Sequence, residues 1–565
     1  MKTKLIVFLV AIIAIAGSAA YLFLSPNLAG PMSHDKAVER LAYLKKKVDW
    51  AEHLVQRRAQ VQLGAAQDLT QMLPNIDQFP LVVQPPSASG DVVVEIFAST
   101  EKSGDKTDGW MTEVANDFNA QDQQLKNGKH ARVAIRKIAS GTAHEFIGAR
   151  KYTPDAFSPS SHLWIRMVTA RGVNLTPIRE KLVGNIAGIV MKTTVADKIK
   201  AKYGSLEIKN LIDAVVQGNL AMGYTDPFAS STGLNLLVTV LATFAGGKED
   251  KMLEPTVVSA FEGFQKGVPF VSQTTMQMRE SVEKDGSLDA FVMEYQTFVN
   301  TKVLQAGYEF IPFGVRHDNP LYAVGKSSAE KMEALEKFAA FAEQAKAQKL
   351  ASDYGFNPTL DYKSAFPTPS GETLIQAQRI WKQKKDAGKT VAAIFLCDVS
   401  GSMNGPRLNA LKKSLIGGSQ FIAPENEIGL VLFNQEVSVV LPVKKFDLGH
   451  KAMFQAAVED MSASGQTAMY NGVVISLAAL LEEKKKDPNT KVTLFVLTDG
   501  ETNAGWKFED VRPVIEALGV PIYTIGYEAN LAVLQELSAV VEAASFNANE
   551  SDVQYKIGSL LNAQM

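Results

Sequence analysis

The run Val391-Ala392-Ala393-Ile394-Phe395-Leu396-Cys397 is uncharged and largely apolar, and it ends in Asp398, Ser400 and Ser402 at alternate positions. A stretch of this length, followed by a Gly-rich turn and a helical pattern over 408–415, reads as a strand buried on both faces. Such a strand needs helices covering it on both sides, which commits this part of the chain to an α/β sheet. One carboxylate and two hydroxyls then converge at the carboxyl end of a central strand, the edge where open α/β sheets bind ligands. Hard oxygens with no His or Cys among them suit Mg²⁺ or Mn²⁺ better than zinc. The plainer reading is that Asp398 caps the following helix, but a cap does not explain the paired serines.

The Asp-x-Ser-x-Ser triplet resembles the von Willebrand factor A (VWA) domain with its metal-ion-dependent adhesion site. That resemblance implies two further ligands, a Thr in a loop after the third strand and an Asp at the tip of the fourth. Ser464-Gly465-Gln466-Thr467-Ala468 supplies Thr467, and Leu494-Phe495-Val496-Leu497-Thr498-Asp499 supplies Asp499 at the end of another apolar strand. The implied metal set is therefore Asp398, Ser400, Ser402, Thr467 and Asp499. The carboxylates reach the ion directly or through water, and positions remain for an acidic group of a protein partner.

The rest of 389–565 reads as a doubly wound, Rossmann-like sheet. A hairpin is expected over 427–443, closed by Pro442, followed by a helix over 471–483, a buried strand over 520–527 and a terminal helix over 551–561. Cys397, the one cysteine of the chain, reads as a small buried hydrophobe.

The N-terminus predicts an address. Met1-Lys2-Thr3-Lys4 precedes an uncharged, largely apolar stretch from Leu5 to Leu24, long enough to cross a bilayer as a helix, with Lys2 and Lys4 on the cytoplasmic side. Residues 1–25 are read as a retained membrane anchor, the alternative being a cleaved signal segment. The absence of a disulfide pair fits a cytosolic or a bacterial extracytoplasmic protein, and this N-terminus decides between them, since either way the remainder is exported. Beyond it, apolar residues at three- and four-residue steps over 37–73 predict a long amphipathic helix, so that 33–74 is a helix and linker whose stripe lies on the folded body, the alternative being a coiled coil with another copy.

With 565 residues there is room for several domains, and 58 basic against 60 acidic side chains do not recruit nucleic acid. Seven scattered histidines show no zinc-protease spacing. No nucleophile-and-base arrangement is assignable and there is no Walker-type phosphate loop, so no catalytic residue is expected and the chain is not read as an enzyme.

Residues 89–368 follow another grammar. Strands over 92–98 and 133–140 run into polar loops, and hydroxyls cluster at Ser99-Thr100, Ser140-Gly141-Thr142, Ser160-Ser161 and Ser230-Ser231-Thr232. Each precedes an expected helix, which makes it an ordinary N-cap or part of a donor-rich site for an anion or polar ligand. The segments 184–191, 223–234 and 319–324 resemble bacterial extracellular solute-binding proteins of the two-lobed periplasmic type. That resemblance implies two α/β lobes joined by crossover strands and closing on a small ligand, with 224–227 near the return to one lobe. Phosphate-, sulfate- or molybdate-like oxyanions suit the donors, as do peptides and sugars. Residues 369–388 read as a connecting helix whose Lys382–Lys385 stretch is a solvated face.

Together these features predict an α/β multidomain chain with an N-terminal transmembrane helix. Its expected function is membrane-anchored extracytoplasmic binding of a protein partner through a Mg²⁺-dependent face, with solute capture for transport or sensing as the alternative.

Overall fold

The computed structural model describes residues 32–61, 70–86, 90–268, 270–272, 278–279, 288–500, 502–527, 534, 536–538, 545–548 and 552–565. The expected anchor at 1–25 lies outside them. Among the described residues no helix is long and apolar enough to cross a membrane.

The strand Val391–Asp398 is buried along its whole length and lies in the middle of a seven-stranded sheet. The order is Trp50–Glu52, Val437–Lys445, Glu427–Phe433, Val391–Asp398, Lys491–Thr498, Ile522–Tyr527 and Ser545–Ala548. All neighbours pair in parallel except the hairpin of Glu427–Phe433 with Val437–Lys445. One face packs Phe395, Leu430 and Phe495 against the helices Pro406–Gly418, Leu448–Asp460 and Val553–Gln564. The other packs Ile394, Val431 and Val496 under Met469–Lys486 and Phe508–Leu518. Successive side chains of a strand point to opposite faces, so a strand covered on both sides must be apolar at every position. Cys397 is buried in this core.

Two expectations fail here. Pro442 does not close the hairpin strand, which runs on to Lys445; the proline falls where the register shifts, so the ladder loses no donor it needs. The long helix over 37–73 also stops early, at Lys45. Trp50–Glu52 becomes an edge strand paired with Val437–Lys445, and His53 and Val55 donate backbone bonds to Val439 and Val440 at 3.0 Å each. An exposed sheet edge satisfies those backbone groups as fully as another helical turn, and Val48 is buried as well. The short helix His34–Lys45 buries Ala37, Leu41 and Leu44 in the same core. Residues 34–59 thus belong to the C-terminal sheet domain, and the region between is inserted into it.

That region forms two α/β lobes. The first has a six-stranded sheet ordered Leu81–Val83, Ala131–Lys137, Val92–Ala98, Ala156–Ser158, Leu321–Val324, Leu175–Arg179. The second has five strands ordered Tyr308–Pro312, Ala187–Lys192, Ala290–Glu294, Met222–Thr225, Phe270–Ser272. The chain crosses between lobes twice, and the crossovers pair with each other: Asn185 and His317 exchange backbone bonds of 2.8 and 3.1 Å. The return to the first lobe therefore runs through 313–319 and not near 224–227, which end an interior strand of the second lobe. The expectation erred because a strand followed by a hydroxyl-rich turn looks the same inside a lobe as at its border.

The helix Gly371–Lys384 binds the pieces together. Ser370 caps it by accepting from Thr373 N at 3.2 Å. Leu374, Ala377 and Trp381 enter a core that also holds Trp164 of the first lobe and Leu237 of the second. A Cβ at Gly371 would stand 2.1 Å from the Arg166 carbonyl oxygen, so only glycine permits this approach. The solvated-face reading of Lys382–Lys385 is overturned. Lys385 is buried against Asp386 at 2.7 Å, and Lys382 Nζ donates to the Asn562 carbonyl of the terminal helix at 2.6 Å. These lysines lie at the junction of lobes and sheet domain, where burial pulls both ammonium pKa values down.

Candidate functional site

Two parallel strands end side by side at one edge of the sheet domain, and their register pairs Cys397 with Leu497. Asp398 and Thr498 follow as the next residues, and Thr498 Oγ1 donates to Asp398 Oδ2. The other Asp398 oxygen accepts from Ser400 N at 2.7 Å. Ser400 Oγ lies 3.1 Å from Ser402 Oγ, which donates to Asp499 Oδ1 at 2.8 Å. The loop carrying Thr467 is stitched to the same turn: Gly401 N donates to Gly465 O at 3.0 Å and Ser464 N to Val399 O at 2.8 Å. Thr467 is tied from the other side, its N–H donating to Asn503 Oδ1 and its carbonyl accepting from Thr502 Oγ1, both at 2.9 Å. Asp398, Ser400, Ser402 and Asp499 are thus joined by direct contacts at one end of the sheet, and the loop that carries Thr467 is bonded beside them.

The donor set is hard oxygen throughout. Among the described residues no three His, Cys, Asp or Glu side chains cluster as ligands, and beside the two carboxylates the side-chain oxygens here are hydroxyls. Burial pushes the Asp398 carboxyl up, the bonds from Thr498 and Ser400 pull it down, and Asp499 pushes it up again. A divalent cation would relieve both the burial and the repulsion, so the residues fit Mg²⁺ or Mn²⁺. Sequence reading passed over Arg407. Its Nη1 donates to Asp499 Oδ2 at 2.8 Å from the first turn of the helix Pro406–Gly418. An arginine there looks like any surface cation until the helix direction is known.

The lobe hydroxyls assemble in separate groups. Ser140 opens the helix Ser140–Gly148 and Ser161 caps His162–Ala170 by accepting from Leu163 N at 3.3 Å. Ser160 Oγ donates to Ser231 Oγ across the lobe boundary at 2.5 Å, Trp164 Nε1 donates to Ser231 Oγ at 2.7 Å, and Ser140 Oγ accepts from Ser160 N at 3.3 Å. Thr225, Ser230 and Thr232 form a second triangle at 2.8–3.0 Å. Thr142 Oγ1 accepts from Tyr555 OH of the terminal helix at 3.0 Å. A Cβ on Gly141 would stand 2.0 Å from Phe228 O, so the second lobe presses on this helix start. Thr100 lines the turn with its backbone carbonyl near Gly104.

Ser99 has the most charged surroundings, none of them expected from sequence. Lys102 Nζ, fully buried, donates to Ser99 Oγ at 2.5 Å and to Asn319 Oδ1 at 3.0 Å, and Ser99 Oγ donates to Glu101. Burial lowers the Lys102 pKa to about 8 against the pull of Glu101 and Glu294. Glu294 holds His317 Nδ1 at 2.7 Å and Asn185 Nδ2 at 2.9 Å on the crossover strands. Asp108 of the first lobe meets Gln296 Nε2 at 3.1 Å and Arg279 at 3.2 Å in the second. Acidic groups thus stand among the hydroxyls, and the lobes are cross-linked directly.

The family model of the von Willebrand factor type A domain matches residues 394–562, and that of the bacterial extracellular solute-binding protein matches residues 103–357. The chain carries one domain of each kind. Over 152 residues it is 28% identical to inter-alpha-trypsin inhibitor heavy chain H3 of Homo sapiens, a match covering 24% of this chain and 16% of that one. The chain therefore spans 16–17% of the length of such curated relatives. Among solved structures, the sulfate-binding protein SubI of Mycobacterium tuberculosis aligns with TM-score 0.35 and 15% identity over 48% of this chain and 88% of its own. A von Willebrand factor type A protein from Catenulispora acidiphila aligns with TM-score 0.28 and 16% identity over 31% of this chain and 42% of its own.

Proposed function

We propose that the chain is an extracytoplasmic binding protein, anchored by residues 1–25, that holds a divalent cation at the 398–402 face and engages an acidic group of a protein partner there. The observation that supports it best is the chain of contacts from Asp398 through Ser400 and Ser402 to Asp499, with the Thr467 loop stitched beside it. Ser400, Ser402 and Thr467 would hold the ion, Asp499 would reach it directly or through water, and Asp398 would also orient its shell because both its oxygens already accept from chain donors. A cation bound mostly by neutral hydroxyls stays electrophilic and takes a carboxylate as a further ligand. Nothing in this role requires turnover, and we read the protein as a binder and not an enzyme.

Calorimetric titration of the full chain with MgCl₂ tests the reading. One site is expected, and Asp398→Asn should weaken it about 10- to 100-fold, the usual effect of removing a group that orients metal ligands. Equal heats from variant and wild type would overturn it.

A second reading, capture of a small solute for transport or sensing, draws on the two lobes and their paired crossovers. Thermal-shift screening of the full chain against sulfate, phosphate, molybdate and small peptides tests it, and a ligand-dependent rise in melting temperature supports it. No rise with any of them would leave the lobes a protein-binding scaffold.

A further inference from the structure

Where the two lobes meet the sheet domain, a cavity of about 590 Å³ lies within the range of small-molecule sites. Four parts of the chain supply its walls. The first lobe contributes Thr142 and Glu145 and the second Asp226, while Arg379 comes from the helix Gly371–Lys384 and Tyr555 from the terminal helix. These walls are fastened to one another: Tyr555 OH donates to Thr142 Oγ1 at 3.0 Å, and Gln378 Nε2 donates to Pro227 O, beside Asp226, at 2.8 Å. Most charges around the cavity are already answered. Both Glu145 oxygens accept from Arg171, at 2.8 and 3.0 Å, Lys385 pairs with Asp386, and Lys382 Nζ donates to the Asn562 carbonyl. Two charges in the wall are not. Asp226 is 2% exposed, with one oxygen held by the Phe228 N–H at 2.8 Å, and Arg379 is exposed. Among the described residues neither forms an ion pair, with the other or with any third group.

A buried carboxylate without a direct counter-cation is costly, and a ligand that brings one removes the cost. Burial pushes the Asp226 carboxyl up to about 7, although the charges of Lys382 and Lys385 act on it from a distance. Arg379 offers the complementary group, a planar fork of N–H donors that fits a carboxylate in bidentate fashion. We infer that the cavity is a binding site for a small zwitterion of short-peptide size, whose primary ammonium pairs with Asp226 and whose carboxylate pairs with Arg379. An oxyanion would meet Asp226 as a like charge, and a plain amine would leave Arg379 unanswered. The site is built from both lobes, the helix Gly371–Lys384 and the terminal helix, away from the 398–402 face, and it rests on neither reading above.

Calorimetric titration of the full chain with triglycine, its N-acetyl form and its C-terminal amide tests this on wild type, Asp226→Asn and Arg379→Gln. Wild type should bind triglycine, and acetylation should weaken binding about 30-fold or more, the cost of leaving one member of a buried charge pair alone. Amidation should weaken it about two- to fivefold, because Arg379 is exposed and its pair is screened by water. Each variant should lose one discrimination and keep the other. Asp226→Asn should bind triglycine and its acetyl form equally, and Arg379→Gln should bind triglycine and its amide equally, a division that a general loss of folding would not produce. No heat from wild type with triglycine, or a wild-type discrimination that persists in either variant, overturns the inference and leaves both readings above standing.

Discussion

The proposed metal face and the lobe junction are both built from hydroxyls at the ends of buried strands, yet they are held in different ways. At the metal face, Asp398 and Asp499 extend adjacent parallel strands of one sheet, so the ladder that pairs Cys397 with Leu497 sets their spacing. At the junction, Ser160 and Ser231 belong to different lobes joined by two crossover strands, and their 2.5 Å contact spans the boundary between the lobes. One constellation comes with its sheet. The other depends on the pose of two bodies, and in this structure the helix Gly371–Lys384 and the shared core hold that pose.

The sharpest way to break this distinction is Trp381→Ala. The indole is fully buried where the lobes meet, and its Nε1 donates to Tyr224 OH at 2.6 Å. Its loss should cost about 3–5 kcal/mol, the range for aromatic truncation in a core. Chemical denaturation should show the lobes unfolding earlier, while Mg²⁺ binding at the metal face keeps its wild-type affinity. A variant that loses both together would show that the metal face also depends on the junction.

The same contrast explains how much was legible in advance. Asp398, Ser400 and Ser402 lie within five residues, and the strand that leads into them is uncharged and largely apolar up to Asp398, so local spacing already placed the three together at a strand end. Thr467 and Asp499 needed only the order of elements in a familiar pattern. The edge strand Trp50–Glu52 was illegible because its partner starts at Val437, far along the chain, and its apolar spacing also fits a helix. Lys382 and Lys385 read as surface charges because their burial comes from the terminal helix and the second lobe, which no local window contains. Lys102 hid for the same reason: Asn319 and Glu294, its distant partners, arrive through the crossovers.

A smaller effect sharpens the comparison through two glycines. Alanine at Gly371 would place its Cβ 2.1 Å from Arg166 O and 2.6 Å from Ala170 Cβ, whereas at Gly500, beside the metal loop, a Cβ meets nothing within 4 Å. Overpacking of the first kind costs about 1–3 kcal/mol. Gly371→Ala should therefore lower the lobe transition in a denaturant melt, and Gly500→Ala should leave stability and Mg²⁺ affinity near wild type. Equal behaviour of the two variants would show that the helix at 371 is free to shift and does not hold the lobes.

The smallest effect compares two buried carboxylates. Burial raises both Asp398 and Asp226, but Asp226 belongs to the junction, where it lines a cavity of about 590 Å³ beside the terminal helix. Its pKa is pushed up to about 7, held back by the Phe228 N–H at 2.8 Å and by the charges of Lys382 and Lys385. Because the folded pKa lies above the unfolded one, near 3.8, the native state binds the extra proton in between. Stability from this group is present below pH 4 and is lost as pH rises toward 7. Asp226→Asn keeps an acceptor for Phe228 N–H and removes the titration, so the variant's stability relative to wild type should grow between pH 4 and 7 and level off above. The lysines, lowered by burial and held up in part by the Asp226 charge, are lowered further in the variant, so the difference below pH 7 reports Asp226 together with its coupling to them. Denaturant melts at pH 4.5, 6 and 7.5 measure it, and a pH-independent difference would mean that Asp226 is ionised throughout. Repeating the melts in Mg²⁺ separates the two carboxylates: the ion should offset the burial of Asp398 and leave the Asp226 difference unchanged.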